Sequence, residues 1–437
     1  MRKIAIYALF VANLAFIIGS WWVSSGDLVA AEPAGTLLAF GRLAGLLAVF
    51  FVLMQFVLIG RAAWIERVFG LDKLSRVHRL NGYAALGFVL LHASLIVASY
   101  SMYAKVGFFR EYANLIASED ALLGAAAAVW LLVFIVFLSI AIVRRRMKYE
   151  TWRFVHLFTY LAVVLAFEHQ MKLGHDLTDR RFAAYWTLLY AFVFGNLAIF
   201  RFLRPLWNLW RFRFKVAAVV PETADTSSVY IEGARMEKFR VKPGQFFILR
   251  FLAKGFWRQA HPFSLSYVPK DGRLRVTIKA CGDFTSTIPS LPVGAPVLID
   301  GPHGVFTAEP KPGAKLLFIA GGVGITPIRA IIEQHAPTGD IALIYGNRDT
   351  SGIIFKQELD ELSARHPFPI HHVMSADPVF AGEKGYIDKE RVLRLVPDVM
   401  EREVFLCGPP VMMRGVRKAL REAGMKTARV RYEEFAL

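Results

Sequence analysis

Four histidines carry the strongest chemical signal in this 437-residue chain. His78 and His92 lie fourteen residues apart in one apolar run, and His156 and His169 lie thirteen apart in another. On an α-helix, fourteen residues advance about 21 Å and return to nearly the same face, so each run sets two imidazoles in two layers. An ionisable side chain inside a membrane span is expensive enough that function is its default reading. Neutral imidazole is a usual axial ligand of haem iron, and two facing helices with matched pairs would clamp two haems, one per leaflet. Interfacial or mutually hydrogen-bonded histidines explain a single such residue more readily than four at matched spacing. Thirteen residues turn through about 1,300°, which leaves His169 off the face of His156. Local irregularity or tilt in that helix is therefore expected, and His175 is the nearby substitute ligand.

The elements that must hold these residues are membrane spans. Hydrophobic residues make up 55% of the chain, and the excess is confined to the first half, which predicts a membrane domain followed by a soluble one. Apolar runs of spanning length cover residues 4–23, 37–59, 80–100, 121–143, 152–170 and 182–202. The first follows Met1-Arg2-Lys3 with no small-residue cleavage site before Ser24, and reads as an uncleaved helix. Arg61, Arg67, Lys73, Arg76 and Arg79 lie between spans two and three; Arg144, Arg145, Arg146 and Lys148 lie between four and five; Arg201, Arg204, Arg211 and Arg213 follow six. By the positive-inside rule both termini are cytoplasmic, in a cell inner or plasma membrane. His78 and His156 then share the inner layer, and His92 and His169 the outer one. Arg42, near the outer start of span two, is placed to neutralise a haem propionate or attract a small anion, with snorkelling to the interface as the plainer role.

The net charge of +17 raises nucleic acid as a partner, but no basic recognition helix or nucleic-acid motif accompanies it. Only Cys281 and Cys407 are present, so there is no disulfide framework. Beyond Arg213 come short β-like runs at 214–220, 228–232, 245–251, 273–280 and 296–300, the pattern of a small barrel. Within them, His261-Pro262-Phe263-Ser264 sets an aromatic ring beside a hydroxyl, a pair able to face a flavin and bond its edge. Cys281-Gly-Asp-Phe-Thr-Ser286 leads from a strand towards a helical pattern at 286–290, where Gly282 and Thr285 can offer donors to a pyrophosphate. The last third alternates strand and helix. Apolar strands at 315–320, 341–346, 370–374 and 403–407 predict a doubly wound parallel sheet. The loop Gly321-Gly322-Val-Gly324-Ile-Thr326-Pro327 follows the first of these strands and opens a helix, a moderately specific dinucleotide signal. Cys407-Gly408-Pro409-Pro410 ends the last.

Taken together, the histidine pairs, His-Pro-Phe-Ser, Gly-Gly-Val-Gly-Ile-Thr-Pro and Cys-Gly-Pro-Pro resemble the superfamily of NADPH oxidases and ferric reductases over nearly the whole chain. The resemblance implies an all-α six-helix transmembrane bundle with two b haems over 1–210, an antiparallel β-barrel FAD domain over 211–311, and a doubly wound α/β NAD(P)-binding domain over 312–437. It implies that Phe263 stacks on the isoalloxazine, that Ser264 lies near the reactive nitrogen, and that His261 replaces a pyrophosphate-binding arginine. It implies further that Gly321, Gly322, Gly324 and Thr326 approach the nucleotide phosphates, that Cys407 and Gly408 lie near the nicotinamide, and that Phe435 covers the flavin. Arg348 is placed to hold the 2′-phosphate of NADPH, although NADH-using relatives also carry arginine nearby.

The implied activity is electron transfer from cytoplasmic NAD(P)H through FAD and two haems to an acceptor on the far side, a ferric chelate slightly ahead of oxygen. Some oxygen-reducing relatives carry a second histidine one turn beyond the outer ligand, where this chain has Ile96; Arg42 argues the other way. Supply of electrons to an extracytoplasmic redox protein is a further alternative, with residues 100–120, including Lys105 and Arg110, as the one sizeable outer loop. A non-redox membrane protein with a nucleotide-sensing domain is the third.

Overall fold

The computed structural model describes residues 1–30, 32–140, 146–147, 149–269, 271–309 and 312–433. The chain divides into two compact units, Met1–Val68 with Lys73–Ile199, and Phe69–Asp72 with Phe200–Leu437.

The first unit is helical: α1 (Arg2–Val29), α2 (Pro33–Ile59), α3 (Ala63–Phe69), α4 (Leu71–Ala104), α5 (Phe108–Ser118), α6 (Asp120–Ser139), α7 (Tyr149–His156), α8 (Phe158–Leu173) and α9 (Arg180–Leu197). Six stretches are long and apolar enough to cross a membrane: α1, α2, α4, α6, Glu150–Leu173, and Arg180–Phe212. They contain the expected spans, except that residues 141–143 fall outside the described residues. Trp22, Leu80, Trp130, Phe154, Val164 and Leu188 stand more than half exposed, so these helices are apolar outside as well as inside. This is a multi-pass membrane protein. Between its helices small residues dominate. The buried face of α2 includes Ala34, Gly35, Ala39, Gly41, Ala44 and Ala48. Such a face lets backbones approach closely. As a result, Ser99 of α4 donates to the carbonyl of Ala34 at 2.7 Å, and Asn81 donates to that of Phe51 at 2.8 Å. The outer loop expected at 100–120 contains α5.

Span five is broken at Leu157. Thr159 Oγ1 donates to the carbonyl of His156 at 2.8 Å, and the Tyr160 amide bonds Leu157 O at 3.1 Å instead. A turn closed over three residues winds about 20° more per residue than an α-turn. That added rotation has the sense His169 needs to come round to the face of His156.

A π-helical segment, Ala198–Leu203, spans the boundary at Ile199, and α10 (Arg204–Phe212) follows it. Next come β1 (Lys215–Thr223), β2 (Thr226–Glu232), β3 (Phe246–Phe251), β4 (His261–Ser264), β5 (Arg273–Lys279), α11 (Asp283–Ser286) and β6 (Val297–His303). They form two three-stranded antiparallel sheets, ordered β1-β2-β5 and β4-β3-β6. Single bridges, Leu265 to Val276 and Lys215 to Pro296, link them. Burial alternates along β3, which sends Phe247, Leu249 and Phe251 into the core. Of these strands, the one absent from the sequence reading is β4. Pro262 breaks its donor pattern, and it is tolerated because β4 is an edge strand.

The remainder is β7 (Lys315–Gly321), α12 (Ile325–His335), β8 (Asp340–Asn347), α13 (Lys356–Arg365), β9 (Ile370–Met374), β10 (Glu383–Lys384), α14 (Lys389–Leu395), β11 (Glu403–Cys407), α15 (Pro410–Glu422) and β12 (Val430–Glu433). The strands form one parallel sheet in the order β10-β9-β8-β7-β11-β12. Leu316, Phe318 and Ala320 of β7 enter one core with Ile328 and Ile331 of α12; Leu317 and Ile319 enter another with Met413 and Val416 of α15. A sheet covered on both faces explains why β7 reads as an unbroken apolar run. The strand order reverses between β7 and β11, and ligands of such sheets bind beyond the carboxyl ends at this point.

Candidate functional site

The membrane unit brings the histidines together in two pairs. The rings of His78 (α4) and His156 (α7) are 6.2 Å apart between centroids, and those of His92 (α4) and His169 (α8) are 6.3 Å apart. A metal-bound imidazole nitrogen sits about 2.0–2.1 Å from the ion and about 1.1 Å from its own ring centre, so two imidazoles across one ion have centroids about 6.3 Å apart. Both pairs fit that spacing. Among the described residues no group of three or more His, Cys, Asp or Glu gathers as metal ligands. A pair is what a macrocycle with four nitrogens of its own leaves to the protein.

His92 Nδ1 lies 2.8 Å from the carbonyl of Gly41. A carbonyl only accepts, so Nδ1 carries the proton and Nε2 keeps the lone pair a metal requires. Gly45 leaves room for that ring, since a Cβ there would stand 2.7 Å from His92 Nδ1. Nδ1 of His78 and of His169 is buried without a hydrogen-bond partner, and His156 Nδ1 lies 3.4 Å from Ser139 Oγ. The donor set therefore fits haem iron. His175 opens the turn His175–Thr178 that follows α8. The half-buried Arg42 places Nη1 3.4 Å from Ser25 Oγ, next to Ser24, whose hydroxyl bonds the buried Asp176.

In the second unit the two expected flavin segments meet. His261 of β4 stacks on Phe284 of α11 with centroids 4.4 Å apart, and its Nε2 is 2.8 Å from Gln259 Oε1. Phe263 is half-buried, Pro262 exposed, and Ser264 Oγ buried without a partner, a hydroxyl free for a ligand edge. Thr285 differs from expectation. Its Oγ1 accepts from the amides of Cys281 at 2.9 Å and Gly282 at 3.0 Å, so the hydroxyl holds the turn closed. Gly282 is exposed and a Cβ there would meet nothing. Phe435 lies outside the described residues.

At the switch point the Gly321 loop and the Cys407 loop pack directly on each other. A Cβ on Gly324 would lie 2.3 Å from Cys407 O, and one on Gly321 would lie 2.6 Å from Met412 Sδ. A Cβ on Gly408 would lie 2.7 Å from Met412 Cε. These three glycines serve loop contact. Thr326 and Pro327 are buried within α12, so the open part of the loop is Gly322, at φ +50° with clear space around it, and Val323. Cys407 is fully buried, and burial, reinforced by the Glu433 carboxylate, pushes its thiol well above the ordinary range. It is a neutral packing group here. Pro409 is exposed beside it, and Arg348 is exposed just past the end of β8.

Sequence reasoning missed a buried ionic network beside the flavin strand. Arg275 of β5 forms a two-bond pair with Glu358 of α13 at 2.5 and 3.0 Å, and Arg329 of α12 reaches the same carboxylate at 2.7 Å. The signal was available, because Arg275 alternates with Leu274 and Val276 in a strand that is apolar on either side.

Residues 44–167 match the family described as ferric reductase like transmembrane component, 211–307 an FAD-binding domain, and 318–418 an oxidoreductase NAD-binding domain. The first match holds His78, His92 and His156 and ends just before His169. Among curated relatives, the glycine betaine monooxygenase reductase subunit of Chromohalobacter salexigens is 30% identical over 52% of this chain and 65% of its own length. The ferredoxin reductase component of 3-ketosteroid-9-alpha-monooxygenase from Mycolicibacterium smegmatis is 34% identical over 51% and 64%. NADH-cytochrome b5 reductase 1 of Pyricularia oryzae is 32% identical over 38% and 58%. The chain thus spans less than two thirds of each of these relatives. Among solved structures, the flavohem-like FAD/NAD binding domain of nitric oxide dioxygenase from Vibrio cholerae aligns with 51% of this chain and 97% of its own, at TM-score 0.46 and 23% identity.

Proposed function

From the premise that this chain is a ferric-reductase-type transmembrane oxidoreductase with FAD- and NAD-binding domains, we propose that it passes electrons from cytoplasmic NAD(P)H to an acceptor across the membrane. The observation that carries this is the pair of imidazole pairs, 6.2 and 6.3 Å apart between centroids, stacked in two layers of membrane-spanning helices. When bound, FAD splits the electron pair of a hydride into single electrons, and two b haems relay single electrons through the bilayer.

The chain's own residues take the following parts. His78 with His156, and His92 with His169, would hold the two haems, whose chemistry would be the relay of single electrons. The Gly41 carbonyl fixes the tautomer of His92. Phe263 and Ser264 would hold the isoalloxazine, and His261 with the Gly282–Thr285 turn would hold the pyrophosphate of FAD. By the family resemblance alone, Phe435 would be the residue to cover the flavin. Gly322 and neighbouring loop amides receive the nucleotide phosphates, Arg348 the 2′-phosphate, and Cys407, Gly408 and Pro409 wall the nicotinamide. Arg42 would neutralise a propionate of a bound haem. The divisions 1–210, 211–311 and 312–437 serve as the three functional domains, with both termini cytoplasmic and the two β-sheets closing as a barrel. A ferric chelate is the preferred acceptor: Ile96, which packs against Gly41, supplies no second polar ligand for oxygen above the outer layer. Oxygen and an extracytoplasmic redox protein are the alternatives.

The test is the absorption spectrum of the detergent-purified chain, reduced anaerobically by NADPH or NADH with FAD, then split between air and a ferric chelate. Reducible haem reoxidised chiefly by the chelate supports the reading. Superoxide release in air makes the chain an oxidase, and haem that neither nucleotide reduces overturns the scheme.

A further inference from the structure

The ionic network links the segment that follows Ser264 to the helix that opens on the glycine loop. Arg275 Nε donates to Ser266 Oγ at 3.1 Å and its Nη2 to Ser266 O at 3.1 Å. Arg329 of α12 also reaches Ser266 O, at 3.4 Å, and its neighbour one turn on, Glu333, accepts from the Val268 amide at 2.9 Å. Glu358 of α13 lies between the two guanidinium groups, with Oε1 2.5 Å from Arg275 and Oε2 2.7 Å from Arg329. The Arg275 and Arg329 side chains are only 4% and 9% exposed; Arg275 pairs with Glu358, while Arg329 is shared between Glu358 and Glu333, whose Oε2 lies 2.5 Å from its Nη1. The face of Arg275 lies over the Phe355 ring at 4.5 Å, immediately before α13. One carboxylate therefore joins three elements: the strand of the FAD-binding domain, the helix carrying the dinucleotide loop, and α13.

We propose that Glu358 is a positioning residue for hydride transfer, holding Arg275 and Arg329 so that the glycine loop meets the flavin strand at a fixed spacing. The proposal rests on the electron-transfer reading above, and it adds what sets the donor-to-flavin approach. Hydride transfer needs that approach within a fraction of an ångström, and a displacement of about 1 Å lowers such rates about 100-fold. Without the carboxylate Arg275 is a buried cation with its ion pair gone while Arg329 keeps Glu333, and the strand and the helix lose the group that ties them together.

The experiment compares wild type, Glu358→Gln and Glu358→Asp in the full-length purified chain. Flavin reduction by NAD(P)H is followed by stopped flow per bound FAD, together with the long-wavelength nicotinamide–flavin charge-transfer absorbance. In FAD-free protein, hydrogen exchange at the Val268 amide is measured. Glu358→Gln is expected to slow flavin reduction at least about tenfold with nucleotide Kd little changed, weaken the charge-transfer band and speed Val268 exchange. Glu358→Asp, which keeps the charge, recovers part of each. Unchanged rate and charge-transfer absorbance in Glu358→Gln overturn the proposal, as does loss of FAD from both variants, which assigns the network a structural role alone. A wild-type flavin that neither nucleotide reduces overturns the underlying reading instead.

Discussion

Replacing Gly324 by alanine should drive apart the two loops that meet at the switch point. The new Cβ would lie 2.3 Å from Cys407 O, 2.5 Å from Cys407 C and 2.7 Å from Gly408 N, where ordinary contact begins at 3.4 Å. The worst of these is short by about 1.1 Å, and no side chain can swing away, because the obstruction is backbone. Gly324 has φ −61°, which alanine adopts freely, so the clash acts alone. Overpacking of this kind costs about 1–3 kcal/mol. Its larger effect is on rate, since a shift of about 1 Å at the reacting groups costs about 100-fold. The assay is anaerobic flavin reduction by NAD(P)H in the purified chain, normalised to bound FAD, beside thermal unfolding. Gly415→Ala is the control. It lies inside α15 with open space around it, so alanine should stabilise by up to about 1 kcal/mol and leave the rate alone. A Gly324→Ala protein that reduces its flavin as fast as wild type would refute the claim that close loop contact shapes the nicotinamide site.

Other outcomes follow from the same geometry. His169→Ala should lower haem content from two per chain to one by pyridine haemochrome assay, with the His78–His156 site retained; loss of both would mean that the layers depend on each other. Arg348→Ala should lower kcat/KM for NADPH by about 10- to 100-fold, the loss of a charge-assisted hydrogen bond, and leave NADH unaffected. Equal losses with both nucleotides would remove Arg348 from the 2′-phosphate site. Burial alone raises the Glu358 carboxyl, but Arg275 and Arg329 outweigh it and hold the group below the ordinary carboxylate range. Its ionised form therefore stabilises the fold above the unfolded value of about 4.3, and that contribution is lost as pH falls through the lower folded value. The Tm advantage of wild type over Glu358→Gln should persist at neutral pH and shrink below about pH 4.

What could be read in advance depended on how local the signal was. The two-layer histidine arrangement follows from helical period and hydropathy alone, which is why His78 and His92 were legible with no partner in view. The irregularity of span five was expected from the thirteen-residue spacing, but its place was not, because it depends on a competition at one carbonyl, between the Thr159 hydroxyl and the Tyr160 amide. Strands of the nucleotide domain were legible as apolar runs because both sheet faces are covered, whereas β4 hid behind Pro262 at a sheet edge. The glycine loop was recognisable as a loop, but the division of labour among Gly321, Gly322 and Gly324 depends on what stands opposite each one. Arg275 and Glu358 are 83 positions apart, and no periodicity connects them.

The break at Leu157 has a consequence for how the chain tolerates change. In α4 the two histidines sit on one continuous helix, so any residue inserted between them would swing one by about 100° relative to the other. On the opposite wall the joint separates His156, in α7, from His169, in α8. That wall works like a hinged frame, in which the angle of one fitting can be reset while the other stays put. Substitutions at Thr159 should accordingly change the angle of His169 relative to His156 and leave the spacing of His78 and His92 on α4 untouched.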